Sequence, residues 1–229
     1  MEQLYKPIEI AKKLNISTNM LRYYEDKGLV PRPDRTNNRY RKYHQVHFIY
    51  FETVQAMSIG YSFEVISNIM SDIQNESIDD ALWLLNNVHV QNRTDYELLC
   101  KLKEKAEEMN QHDEKLMRIG DLSKEFAVST TAIRYWEKEG YIMSMRDADN
   151  PYRHYSESGY IKAGILKIVK SINYSSEIVE LKDKLKLGDS VDEIKLIILH
   201  VERLLNKRNE EQLKGAHHLY RLINYLKHI

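Results

Sequence analysis

The sequence predicts a mostly helical fold with small β elements, built as two copies of one unit. Three observations predict it. Of 229 residues only 8 are glycine and 4 proline, while leucine, isoleucine, glutamate and lysine abound, a composition that favours helix. Sliding the chain by 112 positions gives 11 identities over residues 12–43 without a gap, among them Arg22-Tyr23 on Arg134-Tyr135, Glu25 on Glu137, Gly28 on Gly140, Tyr40-Arg41 on Tyr152-Arg153 and Tyr43 on Tyr155. Two long stretches then repeat apolar residues at three- and four-residue steps, the period of an amphipathic helix.

Each element follows from local signals. Residues 7–14 read as a short helix and Asn15-Ile16 as a turn. Ser17 is an N-cap for a second helix that runs to Lys27 and stops at Gly28 in the C′ position. That is helix-turn-helix spacing. Leu29–Tyr43, with Pro31, Pro33 and Asn37-Asn38, reads as a two-stranded wing; helices over 45–58 and 62–71 complete a small core. The second copy repeats the pattern as helices over 119–126 and 129–139, a wing over 141–155, and helices over 157–171 and 175–185. One inserted residue shifts the offset to 113, which places Ile59-Gly60-Tyr61-Ser62 on Ile172-Asn173-Tyr174-Ser175 and Ser77-Ile78-Asp79-Asp80 on Ser190-Val191-Asp192-Glu193. From there the first long stripe runs through Leu82, Leu85, Val88, Leu99 and Leu102. The second runs through Ile194, Ile198, Val201, Leu205, Leu219 and Ile223. Both turn polar midway, at Asn92-Arg93-Thr94 and Asn206–Glu211, where a break into two helices is expected. The domain boundaries read from this pattern are 1–71, 72–116, 117–185 and 186–229.

Composition excludes several classes. No apolar run approaches the roughly 20 residues that span a bilayer, and the N-terminal residues match neither a signal nor a transit peptide, so a cytoplasmic location is expected. Cys100 is the single cysteine; it can close no intramolecular disulfide and build no cysteine-based zinc site. His44 with His47 and His217 with His218 are the close histidine groups, and solvated pairs explain them better than a metal site. The sequence offers neither a phosphate-cradling glycine loop nor a nucleophile motif, so no enzyme, cofactor or metal is expected.

Leu21-Arg22-Tyr23-Tyr24-Glu25-Asp26-Lys27-Gly28-Leu29 followed by Asn38-Arg39-Tyr40-Arg41-Lys42-Tyr43 closely resembles the MerR family of winged helix-turn-helix transcription regulators. Ile133–Tyr141 with Asn150–Tyr155 resembles the same pattern. The resemblance implies a mostly α fold with small β wings: two MerR-like winged domains, each followed by a long amphipathic dimerisation helix, with the two helices expected to pair as an intrachain antiparallel coiled coil. It implies double-stranded DNA as partner, nucleoid association, and contact with RNA polymerase at a promoter whose DNA the protein kinks and untwists. A helix entering the major groove presents its first turn to base edges, so Ser17, Thr18, Asn19 and Met20 are the base readers of the first copy and Ser129, Thr130 and Thr131 those of the second. Arg22, Tyr23, Arg134 and Tyr135 lie further along, placed for phosphates. The wing adds Arg35, Arg39, Tyr40, Arg41 and Lys42, matched by Tyr152 and Arg153. Plainer readings stand beside these: Ser17 as a cap only, Tyr24 and Trp136 as core aromatics, Arg22 and Arg134 paired with Glu25 and Glu137 across a helical turn. The family's wing usually carries glycine at the positions of Arg39 and Pro151, so the turns are expected to rely on left-handed Asn38 and Asn150.

The copies are not equivalent. Residues 32–42 carry a net charge of +4, whereas the aligned 144–154 are neutral, so the first copy is expected to dominate electrostatic binding. Segment 71–116 carries −6 and 184–229 carries +3; a first long helix meeting its own copy repels, and cross-pairing attracts. A monomeric pseudo-dimer on an imperfect inverted repeat follows, with a homodimer carrying four winged domains as the other assembly. An architectural or excisionase-like DNA-bending protein that does not act on polymerase is the alternative function.

Overall fold

In the computed structural model, residues 4–35, 40–109, 116–147, 150–172 and 176–228 are described. The first copy forms β1 (Leu4–Tyr5), α1 (Pro7–Leu14), α2 (Thr18–Asp26), β2 (Asp34–Arg35), β3 (Arg41–His44), α3 (Gln45–Gly60), α4 (Phe63–Gln74) and α5 (Ile78–Glu108). The second repeats this order as β4 (Met117–Arg118), α6 (Ile119–Glu125), α7 (Thr130–Lys138), β5 (Met145–Asp147), β6 (Asn150–Tyr155), α8 (Glu157–Lys170), α9 (Ser176–Leu187) and α10 (Val191–Leu226). The mostly helical duplicated fold read from the sequence is therefore the one observed.

Local chemistry fixes the boundaries. Ser17 Oγ accepts from the Met20 backbone N–H at 3.1 Å, and Ser129 Oγ from that of Ala132 at 3.1 Å, each satisfying an orphan donor of the helix that follows. Gly28 and Gly140 end those helices at φ +70° and +77°. The Leu29 N–H then reaches back to the Tyr24 carbonyl at 2.9 Å and Tyr141 to Trp136 at 3.0 Å, the six-to-one bond of a Schellman cap.

Three features differ from the sequence reading. Each wing sheet has three strands, ordered β1-β3-β2 and β4-β6-β5, because the residues before the first helix of each copy pair with the wing: Tyr5 with Tyr43, and Met117 with Tyr155. Two-residue strands carry too little alternation to register as a pattern. Asn150 opens β6 and pairs with Asp147 across the turn, so it stands in the strand instead of in the turn. Asn38 lies outside the described residues. Third, α5 and α10 run unbroken through their polar middles. Asn92 and Asp95 are buried there, and Asp95 accepts a 2.5 Å hydrogen bond from Ser171 Oγ, so polarity inside the helix is matched by a partner rather than by a break.

Two compact units emerge: Met1–Gln91 with Lys207–Ile229, and Asn92–Asn206. In the first, the winged module of copy one (Ile10, Leu21, Tyr43, Phe51, Met57) shares its core with Leu219, Leu222 and Ile223, while Leu84, Leu85 and Val88 pack against that core. In the second, the module of copy two (Leu122, Ile133, Tyr155, Ile165, Ile168) shares its core with Leu99, Leu102 and Ala106 and with Ile194, Ile198, Val201 and Leu205. Leu82 stands apart at 38% exposure while its neighbour Ala81 is fully buried.

Close approach decides the first interface. A Cβ on Gly60 would sit 2.7 Å from the Gln212 backbone nitrogen and 2.8 Å from the Glu211 carbonyl carbon. These are backbone atoms that cannot rotate away. Gln212 Nε2 donates to the Gly60 carbonyl at 3.1 Å, the Tyr61 hydroxyl donates to the Gln212 carbonyl at 2.7 Å, and His89 Nε2 lies 2.8 Å from that Tyr61 hydroxyl oxygen. Burial pushes His89, His47 and His218 below their ordinary values.

Gly60→Ala is expected to destabilise the protein by about 2 kcal/mol through overpacking, read as a lower denaturant midpoint with unchanged slope. These three histidines, His47 buried and His89 and His218 half-buried, hold protons more weakly folded than unfolded. Their contribution is therefore complete above the ordinary histidine value of 6.5 and is lost as pH falls below it. Thermal melts between neutral pH and pH 5 check this, and His89→Gln should flatten the dependence.

Candidate nucleic-acid interface

The cap that begins α2 leaves its first turn facing solvent. Ser17, Asn19 and Met20 are exposed and Thr18 is half-buried; Met20 is 40% exposed despite being apolar. On the next turn Arg22 and Tyr23 are exposed, while Leu21 and Tyr24 turn into the core. Tyr23 is held by the Phe63 ring at 6.2 Å between centroids and by Lys27 Nζ 5.8 Å from its own centroid. Copy two repeats the placement: Ser129, Thr131, Arg134 and Tyr135 are exposed, Thr130 is half-buried, and Ile133 and Trp136 are buried. Tyr24 and Trp136 are core residues in both copies, and Ser17 and Ser129 are caps as well as exposed hydroxyls.

The wing stands beside this helix through one ion pair. Arg41 Nε donates to Glu25 Oε2 at 2.8 Å, and the Tyr43 hydroxyl donates to the other oxygen of the same carboxylate. Glu25 is only 7% exposed in its side chain and Arg41 26%. In copy two Arg153 Nε donates to Glu137 Oε2 at 3.0 Å, the Tyr155 hydroxyl to the same oxygen at 3.3 Å, and Ser144 Oγ to Oε1 at 2.6 Å. Burial works against the Glu137 carboxylate, yet the bonds from Ser144 and Arg153 prevail and hold it below its ordinary value. Burial and the neighbouring carboxylate push Tyr155 up to about 12, so its hydroxyl stays a donor. The same two causes raise Tyr43 further. Glu25 thus takes its arginine from the wing; Arg22 is left pointing to solvent.

This clamp is the residue set that reasoning along the helix missed. Its signal was present, since Glu25, Arg41 and Tyr43 are three of the positions identical between the copies. Beyond it the wing is open. Tyr40 is 73% and Tyr152 65% exposed, Arg35 is exposed and Lys42 half-buried; Arg39 lies outside the described residues. Arg35 sits directly opposite Arg41 in the strand register, and Arg146 opposite Arg153.

The first copy adds a group the second lacks. Asp34 Oδ2 lies 2.9 Å from His44 Nε2, and the His44 backbone N–H donates to His47 Nδ1 at 3.1 Å. Among the described residues no group of three or more His, Cys, Asp or Glu is arranged to hold a metal, and no helix is long and apolar enough to cross a membrane.

Comparison with known proteins agrees with this geometry. The pattern of the MerR family regulatory proteins matches residues 6–43 and again 118–155, in each copy from the first helix to the end of the wing. The chain is 32% identical over 115 residues to the HTH-type transcriptional regulator CueR of Escherichia coli O6:H1, covering 48% of this chain and 72% of that protein. It is 35% identical over 75 residues to CueR of Salmonella typhimurium, covering 31% and 54%. To the mercuric resistance operon regulatory protein of Bacillus cereus it is 30% identical over 73 residues, covering 30% and 52%. The chain spans about half the length of most of these relatives. No solved structure matches it significantly. With both copies carrying the pattern and nearly three-quarters of one relative spanned, the chain belongs to the MerR family.

Proposed function

We propose that the protein is a sequence-specific transcription regulator that binds double-stranded DNA as a single-chain pseudo-dimer, on an imperfect inverted repeat, and distorts the promoter it occupies. One observation carries the reading: an exposed first helical turn stands beside an arginine-bearing wing, locked to it by a carboxylate, twice in one polypeptide. The exposed turn suits base edges, and Arg22, Tyr23, Arg134 and Tyr135 on the next turn suit phosphates. Relatives described as transcriptional regulators support the same use. The single-chain form is supported by the sharing of cores, since each winged module buries its apolar face against the long helix of the other copy. Fusion replaces bimolecular assembly by a local concentration of order mM, so occupancy of a site does not depend on protein concentration through dimerisation.

The copies read different half-sites, because Thr18-Asn19-Met20 becomes Thr130-Thr131-Ala132. Asn19 can form a bidentate pair with adenine and Met20 can meet a thymine methyl, options that Thr131 and Ala132 do not reproduce together. Promoter location in place of recombination or centromere-like sites separates regulation from the architectural alternative. RNA polymerase is then the protein partner, met at the distorted promoter, in a cytoplasmic, nucleoid-associated setting.

Selection of binding sites from random duplex DNA should return two unlike half-sites; a strictly symmetric consensus would overturn the imperfect inverted repeat. Arg35→Ala and Lys42→Ala should each lower the slope of log affinity against log salt by about 0.9. Glu25→Gln adds one unit of positive charge but releases the wing. Affinity should fall and the melting temperature with it. A gain in affinity would show that charge alone, without the clamp, governs binding.

A further inference from the structure

The long helices align without a gap from Ser77 on Ser190 onward, which places Leu99 on Gln212, Leu102 on Gly215 and Ala106 on Leu219. These are the positions that meet the winged modules: Leu102 and Gly215, like Ala106 and Leu219, are opposite in size, and Leu99 and Gln212 are opposite in polarity. In the first unit a Cβ on Gly215 would lie 2.8 Å from Tyr61 Cε2 and 3.2 Å from Met57 Cα. Met57 is fully buried and Tyr61 nearly so, and the Tyr61 hydroxyl is fixed on the Gln212 carbonyl. The socket has no space for a side chain. In the second unit Leu102 is fully buried, and the space for it is made on the other side: a Cβ on Gly164 would lie 2.7 and 2.8 Å from its two δ-carbons.

Exchanging the helices fails in both directions. Segment 99–106 laid on the first module would drive Leu102 into Tyr61 and Met57, and would put Leu99 where Gln212 donates to the Gly60 carbonyl. Segment 212–219 laid on the second would set Gly215 against Gly164, leaving a leucine-sized void, and would bury Gln212 in the apolar place of Leu99. Each swap overpacks one position and hollows another, since Ala106 would replace Leu219 in the first core and Leu219 would replace Ala106 in the second.

We propose that the two winged modules are keyed to different helices: the first accepts only the glycine-bearing 207–226 segment and the second only the leucine-bearing 92–108 segment. Each module therefore refuses the C-terminal segment of its own copy's long helix, although the N-terminal part of that helix packs against it. The key acts whatever the DNA target, and it goes beyond the single-chain reading by naming the contacts that forbid symmetric self-pairing of either half. A homologous chain with a leucine at the Gly215 position is excluded from the first socket on the same ground.

The test conserves composition. In the full chain, exchanging the two residues (Leu102→Gly with Gly215→Leu) leaves the total helix propensity unchanged. If the sockets were indifferent, the exchanged protein would melt within about 2 °C of the parent, and that result overturns the proposal. Keyed sockets predict a melting temperature lower by about 10 °C and new proteolytic cleavage in both winged modules. Gly215→Leu alone should also destabilise, although leucine is the better helix former. Should the exchanged chain not fold, a milder cycle decides: Gly164→Ala lowers the melting temperature in the parent and restores it in Leu102→Ala, whereas additive losses would refute the fit. Since no DNA enters these measurements, they remain informative whether or not the protein binds an operator.

Discussion

Burial of each small winged module against a long helix is the constraint on which the rest of the structure depends. A module of some seventy residues leaves too large a fraction of its apolar surface in water to be comfortably stable alone. Here the deficit is met by both long helices: the other copy supplies Leu219, Leu222 and Ile223 to the first core and Leu99, Leu102 and Ala106 to the second, where Ile194, Ile198, Val201 and Leu205 of the module's own copy join them. The requirement explains why both long helices continue through polar stretches that would end an isolated amphipathic helix. It also explains why glycine is kept at positions 60 and 215 inside helices, where its low propensity is a cost: the backbone and the Tyr61 ring come too close for a side chain.

Buried polarity follows from the same packing. Gln212 and Asp95 lie on the inner faces of the long helices, and each bonds the winged module of its own unit, Gln212 at the Gly60 carbonyl and Asp95 at Ser171. Lys162, 3% exposed in its side chain, donates to Asp189 at 2.8 Å, and Ser158 donates to the same oxygen at 2.7 Å. Such groups add modest net stability but strongly penalise a wrong register, because a misplaced helix leaves them buried and unpaired. Apolar burial sets how strongly a module docks, and the polar groups set where.

Much of this was legible in the sequence. The duplication, both helix-turn-helix pairs, the serine caps and the glycine stops all rest on short-range chemistry or on identity between the copies. The edge strands Leu4–Tyr5 and Met117–Arg118 were not, since two residues pair only because β3 and β6 are already in place. Nor was the unbroken course of α5 and α10, which depends on partners distant in sequence such as Ser171. Within the candidate interface the exposed residues were readable from helical phase. The clamp left a trace in the identity of Glu25, Arg41 and Tyr43 between the copies, but its pairing was hidden, because residue spacing along a helix suggests Arg22 for Glu25, whereas the wing returns Arg41 to it from sixteen residues away.

That clamp bears on how a binding signal should be interpreted. Arg41 and Arg153 each donate through Nε to a carboxylate while their side chains stay 26% and 33% exposed, which fixes the group's position before any anion arrives. A pre-placed cation loses less side-chain freedom on binding than a mobile one. Removing Arg41 would therefore delete a charge and unfasten the wing together, so loss of binding in Arg41→Ala says little about direct contact. Arg35 and Lys42 lack that double role. They pair with Arg41 and Asp34 only through the strand register, and the wing's electrostatic contribution is best read from them.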